Sequence, residues 1–581
     1  MSAAGASRLF SLSALAIASV ILFPGIAQAQ VPTHDQLEPP ALPKPSERGK
    51  VEIDSRSALE RPPCPLETST VLATIDRVEF TSSRGGPLPP EIVALLQNVG
   101  GIGRDQSIRV VCDIRDRANE ALRRAKYVAT VQVPAQQIEK GTLRLEVVTA
   151  RIVEMRVRGD PGPYERVIQE NIEALKRLDP LNEADAERLL LLVGDTPGLA
   201  VQLSLRPAGT TPGDVTGEMT VNYSRLSVIA NSQNYNSHQL GRETGYIRAE
   251  YHGITGAADS AFLGLSSTFQ VDKQKIIQGG YQLGIDGAGT TIGARLTYAI
   301  SQPDLAQLRL HTKSIIATFE VSHPLVRSVN ANFGLTGGIE YSQQRTVVQT
   351  NTGNTPLNLD RVTTLFLRAA GDWRAFSTTG EDAIRVAGFL ELRQGISVFG
   401  ATQTGVVTPD GFTPSRFEGS ATPTIIRGAL DTKFGLGSIF DLAGTLRGQW
   451  SNRPLLNFDE FAVGNLTIVR GYDPGANSGD RAIGGTIELR AKVLRSPKAR
   501  VEMFGFYDAV RIWNLDSNST ENNRALRSYG GGMRLTLPGI ALLEVTYAHP
   551  QDKALSFDKA PPPDRLLVSL TMQLVPFGGA R

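Results

Sequence analysis

The chain is poor in the residues that most site chemistry needs. It holds 2 cysteines, 6 histidines and 3 tryptophans in 581 residues, and aromatics make up 6%. No phosphate loop, HExxH, CxxC or Gly-x-Ser-x-Gly elbow occurs. The histidines are scattered: His34 and His238 fall in loops, His323 and His549 next to or near prolines at strand ends. No catalytic residue, metal site or cofactor is expected. Neither sign of charge dominates, with Lys+Arg 60 against Asp+Glu 58, which argues against a nucleic-acid binder. Beyond the N-terminus no apolar run reaches the length of a membrane helix. That excludes a helical membrane protein but not a barrel, whose strands need only alternate.

Residues 1–29 read as a secretory signal peptide. Arg8 supplies the positive region, Leu9 to Phe23 the apolar core, and Ala27-Gln28-Ala29 a small-x-small cleavage site. Residues 30–65 are rich in proline and charge and read as a linker. Residues 66–150 and 151–214 each alternate strand and helix patterns, which suggests two small α/β domains. In the first, strands are expected near 71–80, 128–133 and 142–148, with helices over 90–99 and 115–124. In the second, helices are expected over 164–175 and 183–192, the latter capped by Asn182. Cys64 and Cys112 are expected to pair, since an exported chain meets an oxidising compartment.

From residue 215 to 581 the texture changes to segments of about ten residues that alternate apolar and polar. In 486–493, Ile487, Leu489, Ala491 and Val493 oppose Thr486, Glu488, Arg490 and Lys492. Charges at every second position suit the wall of a watery lumen. Sixteen segments fit, the first at 217–224 and the last at 564–576. Gaps after odd segments are mostly long (225–243, 342–361, 395–422, 452–483), and gaps after even ones are short. That is the sidedness of an outer-membrane barrel, with external loops and short periplasmic turns.

The long gap 452–483 carries Val469-Arg470-Gly471-Tyr472, then Asp473-Pro474-Gly475. Pro474 fixes φ, and Gly471 and Gly475 permit conformations barred to other residues, so this loop can fold back. Downstream lies Phe504-Gly505-Phe506-Tyr507-Asp508. With period two, Phe504, Phe506 and Asp508 share the face opposite Met503 and Tyr507. If Met503 and Tyr507 meet lipid, Asp508 points inward, and Arg470 could meet it with two parallel hydrogen bonds.

Val469-Arg470-Gly471-Tyr472, preceded by Glu460-Phe461-x-x-Gly464 and followed by the 504–508 motif, resembles the signature of two-partner secretion transporters, the exporters of hemolysins and filamentous hemagglutinins. The resemblance implies a transmembrane β-barrel of 16 antiparallel strands behind two periplasmic POTRA-like domains. It implies that the motif loop 452–483 folds into the lumen and that Arg470 pairs with Asp508. An N-terminal helix can plug such barrels; a short one between Ser46 and Glu60 is the candidate here. The implied partner is an unfolded, β-helical secreted protein (TpsA-type), and the implied location of this chain is the outer membrane of a Gram-negative bacterium, with its N-terminal domains periplasmic. Outer-membrane lipid and the barrel-assembly machinery complete the partners, with no nucleic acid. Family members usually end on an aromatic, whereas Phe577 here precedes four more residues. The rival readings are a barrel-assembly insertase of the same superfamily and a passive outer-membrane channel.

Overall fold

The computed structural model describes residues 32–38, 53–54, 58–59, 63–100, 103–138, 141–209, 211–305, 308–351, 353–377, 382–517 and 519–575. The signal peptide, most of the 46–60 segment and Phe577 lie outside the described residues.

Two α/β units come first. In one, Arg77–Ser82 runs parallel to Thr142–Thr149, which pairs antiparallel with Ala129–Gln132. Helices Pro90–Leu96 and Val110–Arg124 lie against this sheet, packing Ile92, Leu96, Val111, Ile114, Ala118 and Leu122 onto Val131, Leu143, Leu145 and Val147. In the other, Arg151–Asp160 runs parallel to Asp214–Tyr223, and Leu199–Pro207 pairs antiparallel with it. Helices Glu165–Lys176 and Glu183–Gly194 pack against that sheet, and Asn182 caps the second by accepting from the Ala184 amide at 2.9 Å. Ile53–Asp54 adds in parallel to the outer edge of Leu199–Pro207.

Cys64 and Cys112 are bonded, with Cα atoms 5.9 Å apart and a sequence separation of 48. The bridge ties the segment ahead of the first unit to helix Val110–Arg124. Closing a loop of that size is worth about 4 kcal/mol in the chain-entropy account. Reduction should therefore lower the denaturation midpoint of the first unit and leave the second unchanged. Free-thiol labelling of protein prepared without reductant should find no thiol; two reactive thiols would refute the bridge.

The barrel has sixteen strands, all antiparallel: β1 (Leu226–Gln233), β2 (Thr244–His252), β3 (Ser260–Thr268), β4 (Gln274–Gly284), β5 (Thr291–Ser301), β6 (Leu308–Arg327), β7 (Ala331–Thr350), β8 (Gly353–Phe376), β9 (Asp382–Ile396), β10 (Thr424–Leu436), β11 (Phe440–Ser451), β12 (Arg481–Arg495), β13 (Arg500–Trp513), β14 (Arg524–Leu537), β15 (Ala541–Pro550) and β16 (Arg565–Val575). The two-residue strand Asp304–Leu305 pairs onto the start of β6. β1 closes the ring on β16, from Val228↔Val575 to Gln233↔Ser569. Closure leaves no free edge to recruit other chains. The outer wall is apolar: Leu390, Ile487 and Val493 are exposed there, whereas inward Glu391, Asp441 and Glu488 are buried.

Two expectations change. The segment 217–224 is not the first barrel strand. It belongs to Asp214–Tyr223, and its apolar residues Met219 and Val221 fill the core of the second α/β unit. A half-buried strand in a small sheet alternates just as a barrel strand does. The true first strand, 226–233, lies inside the stretch read as loop. The expected long loop 342–361 is likewise strand. β7 and β8 continue to Thr350 and from Gly353, so this hairpin runs 20 and 24 residues. A membrane strand needs only ~9–11, so the hairpin projects well past the bilayer.

The second α/β unit packs against the short-turn mouth of the barrel. Arg327 pairs with Asp195 at 2.5 Å, the Val329 amide donates to Glu187, and the Tyr223 hydroxyl donates to the His252 carbonyl at 2.7 Å.

Candidate functional site: a loop anchored inside the barrel

The segment 452–480 leaves β11 and folds back into the lumen. Its stem is a short hairpin, Phe461–Val463 against Asn477–Gly479. Its tip packs Val463, Ile468, Val469 and Tyr472 onto Ala482 of β12, Val510 and Ile512 of β13 and Leu526 of β14. The turn closes through Asn465 N–H to Tyr472 O (3.1 Å) and Tyr472 N–H to Val469 O (3.2 Å).

The structure places Arg470 against Asp508, but not through the two parallel bonds expected. The backbone N–H of residue 470 donates to Asp508 Oδ2 at 2.9 Å, and one guanidinium nitrogen, Nη2, reaches Oδ1 at 3.3 Å. The other, Nη1, donates to Glu488 Oε2 at 2.9 Å. The fork therefore spans two carboxylates on neighbouring strands. Thr486 and Ser528 hydroxyls donate to Asp508 at 2.8 and 3.1 Å, so this fully buried carboxylate has four donors. Glu488 is the shared node: Arg490 and Arg534 also donate to it, each at 2.7 Å, and Arg534 continues to Glu544 and Glu502.

Phe504 and Phe506 are buried platforms under this network. The Arg470 guanidinium lies 3.7 Å from the Phe506 ring centre, and that of Arg534 lies 4.0 Å from the Phe504 centre. Each ring covers its cross-strand partner, Phe504 over Gly532 and Phe506 over Gly530. A Cβ at Gly532 would come 2.7 Å from the Phe504 ring, and one at Gly530 would come 2.9 Å from that of Phe506. Glycine on β14 is thus a condition for the aromatics on β13. The run Gly530-Gly531-Gly532 was a readable sign of this.

The motif glycine has a different reason than expected. Gly471 is not in the left-handed region; a Cβ there would meet Pro550 N at 2.9 Å and Ser528 Cβ at 3.0 Å. Close approach to β14 and β15 requires it. The left-handed residue is Val469, with φ 68°, a costly conformation for a β-branched side chain. Tyr472 is buried. Its hydroxyl lies 2.8 Å from the Asp552 carbonyl and accepts the Asp552 amide, and burial pushes the phenol up to about 12. Arg565 of β16 donates to the Tyr472 carbonyl at 2.8 Å and pairs with Asp473 at 2.8 Å. Neither Arg565 nor Glu488 was singled out by the motif.

A second chain segment shares the lumen. The one-turn helix His34–Leu37 carries a capping box, Thr33 with Gln36. Leu37 buries against inward Ile276, Ala299 and Ile316 and against Phe458 of the motif loop. Gln36 donates to Asn236 (2.7 Å), Gln344 to the Pro32 carbonyl (3.0 Å), and Glu38 accepts from Thr297 (2.9 Å). The plug was expected between Ser46 and Glu60. Of that segment only 53–54, a sheet edge, and 58–59 are described; the helix described in the lumen is His34–Leu37. The Thr-x-x-Gln spacing at 33–36 was its sequence mark.

Among the described residues no cluster suited to a metal ion occurs. Residues 219–535 match the family of the haemolysin secretion/activation protein ShlB/FhaC/HecB. The heme/hemopexin transporter protein HuxB of Haemophilus influenzae strain 86-028NP is 22% identical over 476 residues, 80% of either chain. Among solved structures, CdiB from Escherichia coli superposes with a TM-score of 0.67 at 16% identity, over 89% of this chain and 94% of that one. CdiB from Acinetobacter baumannii gives 0.58 at 15% identity, over 93% and 95%. BamA from Haemophilus ducreyi lacking POTRA domains 1–3 gives 0.50 at 12% identity, over 86% and 100%.

Proposed function

Since the chain belongs to the haemolysin secretion/activation family, we propose that it exports one unfolded secreted protein through its outer-membrane barrel. The α/β units, on the periplasmic side, capture that protein, and the barrel passes it outward. The observation that carries this reading is a closed barrel holding a re-entrant loop in its lumen, with the second α/β unit against one mouth and the first joined to that unit. A simple channel has no use for either. Capture by addition of an extended chain to a sheet edge needs little sequence specificity. Arg151–Asp160 offers such an edge in the second unit, since among the described residues it pairs only with Asp214–Tyr223. Arg470, Asp508, Phe504 and Phe506 hold the loop rather than touch a reacting group, so no catalytic step is assigned. Folding outside the cell, not a nucleotide, drives the transfer.

Export is tested by searching beside this gene for one that encodes a large secreted protein, co-expressing the two and scoring appearance of that protein in the medium. Failure to appear, with the barrel inserted, would remove the reading. Orientation is tested by protease sites. One placed in 397–423 should be cut on intact cells and one in 496–499 should not; the reverse would put the α/β units outside. A barrel-assembly insertase would instead leave other outer-membrane proteins misassembled when depleted.

A further inference from the structure

At the external end, a second ion cluster joins three loops. Arg416, in 397–423, is buried. Its Nη1 donates to Glu460 Oε1 at 2.6 Å, to Asp480 Oδ1 at 2.6 Å and to the Leu455 carbonyl at 2.9 Å. Its Nη2 donates to Asp480 Oδ2 at 3.1 Å, and its Nε to Asp516 Oδ2 at 2.9 Å. Glu460 and Asp480 bracket the stem hairpin of the re-entrant loop, and Asp516 belongs to the next loop, 514–523. Glu460 also accepts from Ser478 of the stem at 2.8 Å, while Asp480 accepts the Leu455 and Leu515 amides at 2.6 and 2.7 Å. Glu418 adds a further carboxylate beside Asp516, accepting from Ser517. On the lumen side, Arg427 is held by the carbonyl of neighbouring Asp459 at 3.1 Å. One guanidinium thus serves three buried or half-buried carboxylates, with a fourth near.

We propose that Arg416 is a positioning residue for export, a clamp at the root of the re-entrant loop, and that its surplus of carboxylates loosens it as pH rises. The loop is then fixed twice: at its tip by Asp508 and Glu488, and at its root by Arg416. Burial, reinforced by Asp480 and Asp516 and only partly offset by Arg416, pushes Glu460 up to about 7. A carboxyl raised in the folded state favours folding most when protonated. Its contribution is complete below its ordinary value near 4.5 and is lost as pH rises through about 7. Above that, ionised Glu460 repels Asp480 and Asp516 across the shared arginine.

The proposal rests on the export reading, but its test does not. The full chain, purified and placed in planar lipid bilayers, reports loop displacement as large conductance steps. For the wild type, the fraction of time in large steps should rise between about pH 5 and pH 7, the window between the two values of Glu460. Glu460→Gln should flatten that rise. Arg416→Ala should raise large-step occupancy roughly tenfold at pH 6, the scale of one lost charged hydrogen bond, and Arg416→Lys should fall between. Heat-modifiable migration on gels checks that each barrel is folded. If Arg416→Ala does not fold, the isosteric Glu460→Gln and the conservative Arg416→Lys carry the test. A pH response that persists unchanged in Glu460→Gln, or an Arg416→Lys channel identical to wild type, overturns the clamp. Loss of export with these channel responses intact would fall on the export reading alone.

Discussion

Replacing Asp508 by alanine should reduce export more than replacing Arg470, with the barrel still inserted. Asp508 accepts four donors, two of them from residue 470. Its loss frees the loop backbone as well as the guanidinium. Arg470→Ala keeps the backbone bond and leaves Glu488 paired with Arg490 and Arg534. Breaking a buried pair costs roughly 3–5 kcal/mol when the survivor is left alone. Asp508→Ala should approach that range, and Arg470→Ala should fall below it because the survivors keep partners. Arg470→Lys should rescue poorly. A single ammonium cannot bridge Asp508 and Glu488 and also cover the Phe506 ring, which lies 3.7 Å from the guanidinium. The decisive measurement is a pair of double-mutant cycles, Arg470 with Asp508 and Arg470 with Glu488, scored by secreted partner. Both should show coupling. If the losses in both cycles multiply independently, the arginine does not hold the loop through these carboxylates.

Deleting residues 32–38 should turn a closed lumen into a conducting one. The segment fills space between the motif loop and the wall of β4 to β7, anchored by Leu37 and by hydrogen bonds to Asn236, Gln278, Thr297 and Gln344. A buried leucine lost to alanine costs about 2–5 kcal/mol, so Leu37→Ala alone should raise open-channel occupancy, and Leu37→Asp more so. Cells carrying the deletion should become sensitive to a bulky antibiotic that the outer membrane normally excludes. Unchanged sensitivity, with unchanged conductance of the purified protein, would mean that this segment does not block the pore.

Parity along strands was the legible part of the protein. The face shared by Phe504, Phe506 and Asp508 followed from the pleat, as did inward Glu488, because lipid on one side enforces alternation for ten residues. Parity failed at Met219 and Val221, where the apolar face meets helices instead of lipid. It also passed over 226–233, whose serines, alanine and asparagine alternate weakly. Loops carry no period, so nothing in the sequence joined Arg416 to Glu460 or Arg565 to Tyr472. These contacts span 44 and 93 residues and exist only once the barrel closes. The split of the Arg470 fork is of the same kind. Strand order puts Glu488 beside Phe506, but only the depth to which the loop descends decides which carboxylate each nitrogen meets.

Val469 gives the re-entrant loop a preferred direction of travel. Its left-handed backbone stores on the order of 1–3 kcal/mol, and this is released once the tip leaves its seat and φ turns negative. In populations, that is a bias of roughly five- to 150-fold toward the withdrawn loop, before any contact is counted. The inserted loop therefore prevails only while the carboxylates of Asp508 and Glu488 and the packing of Tyr472 outweigh this bias. Seen so, the tip is a loaded catch, and a passing chain that competes for those anchors needs to supply only the difference.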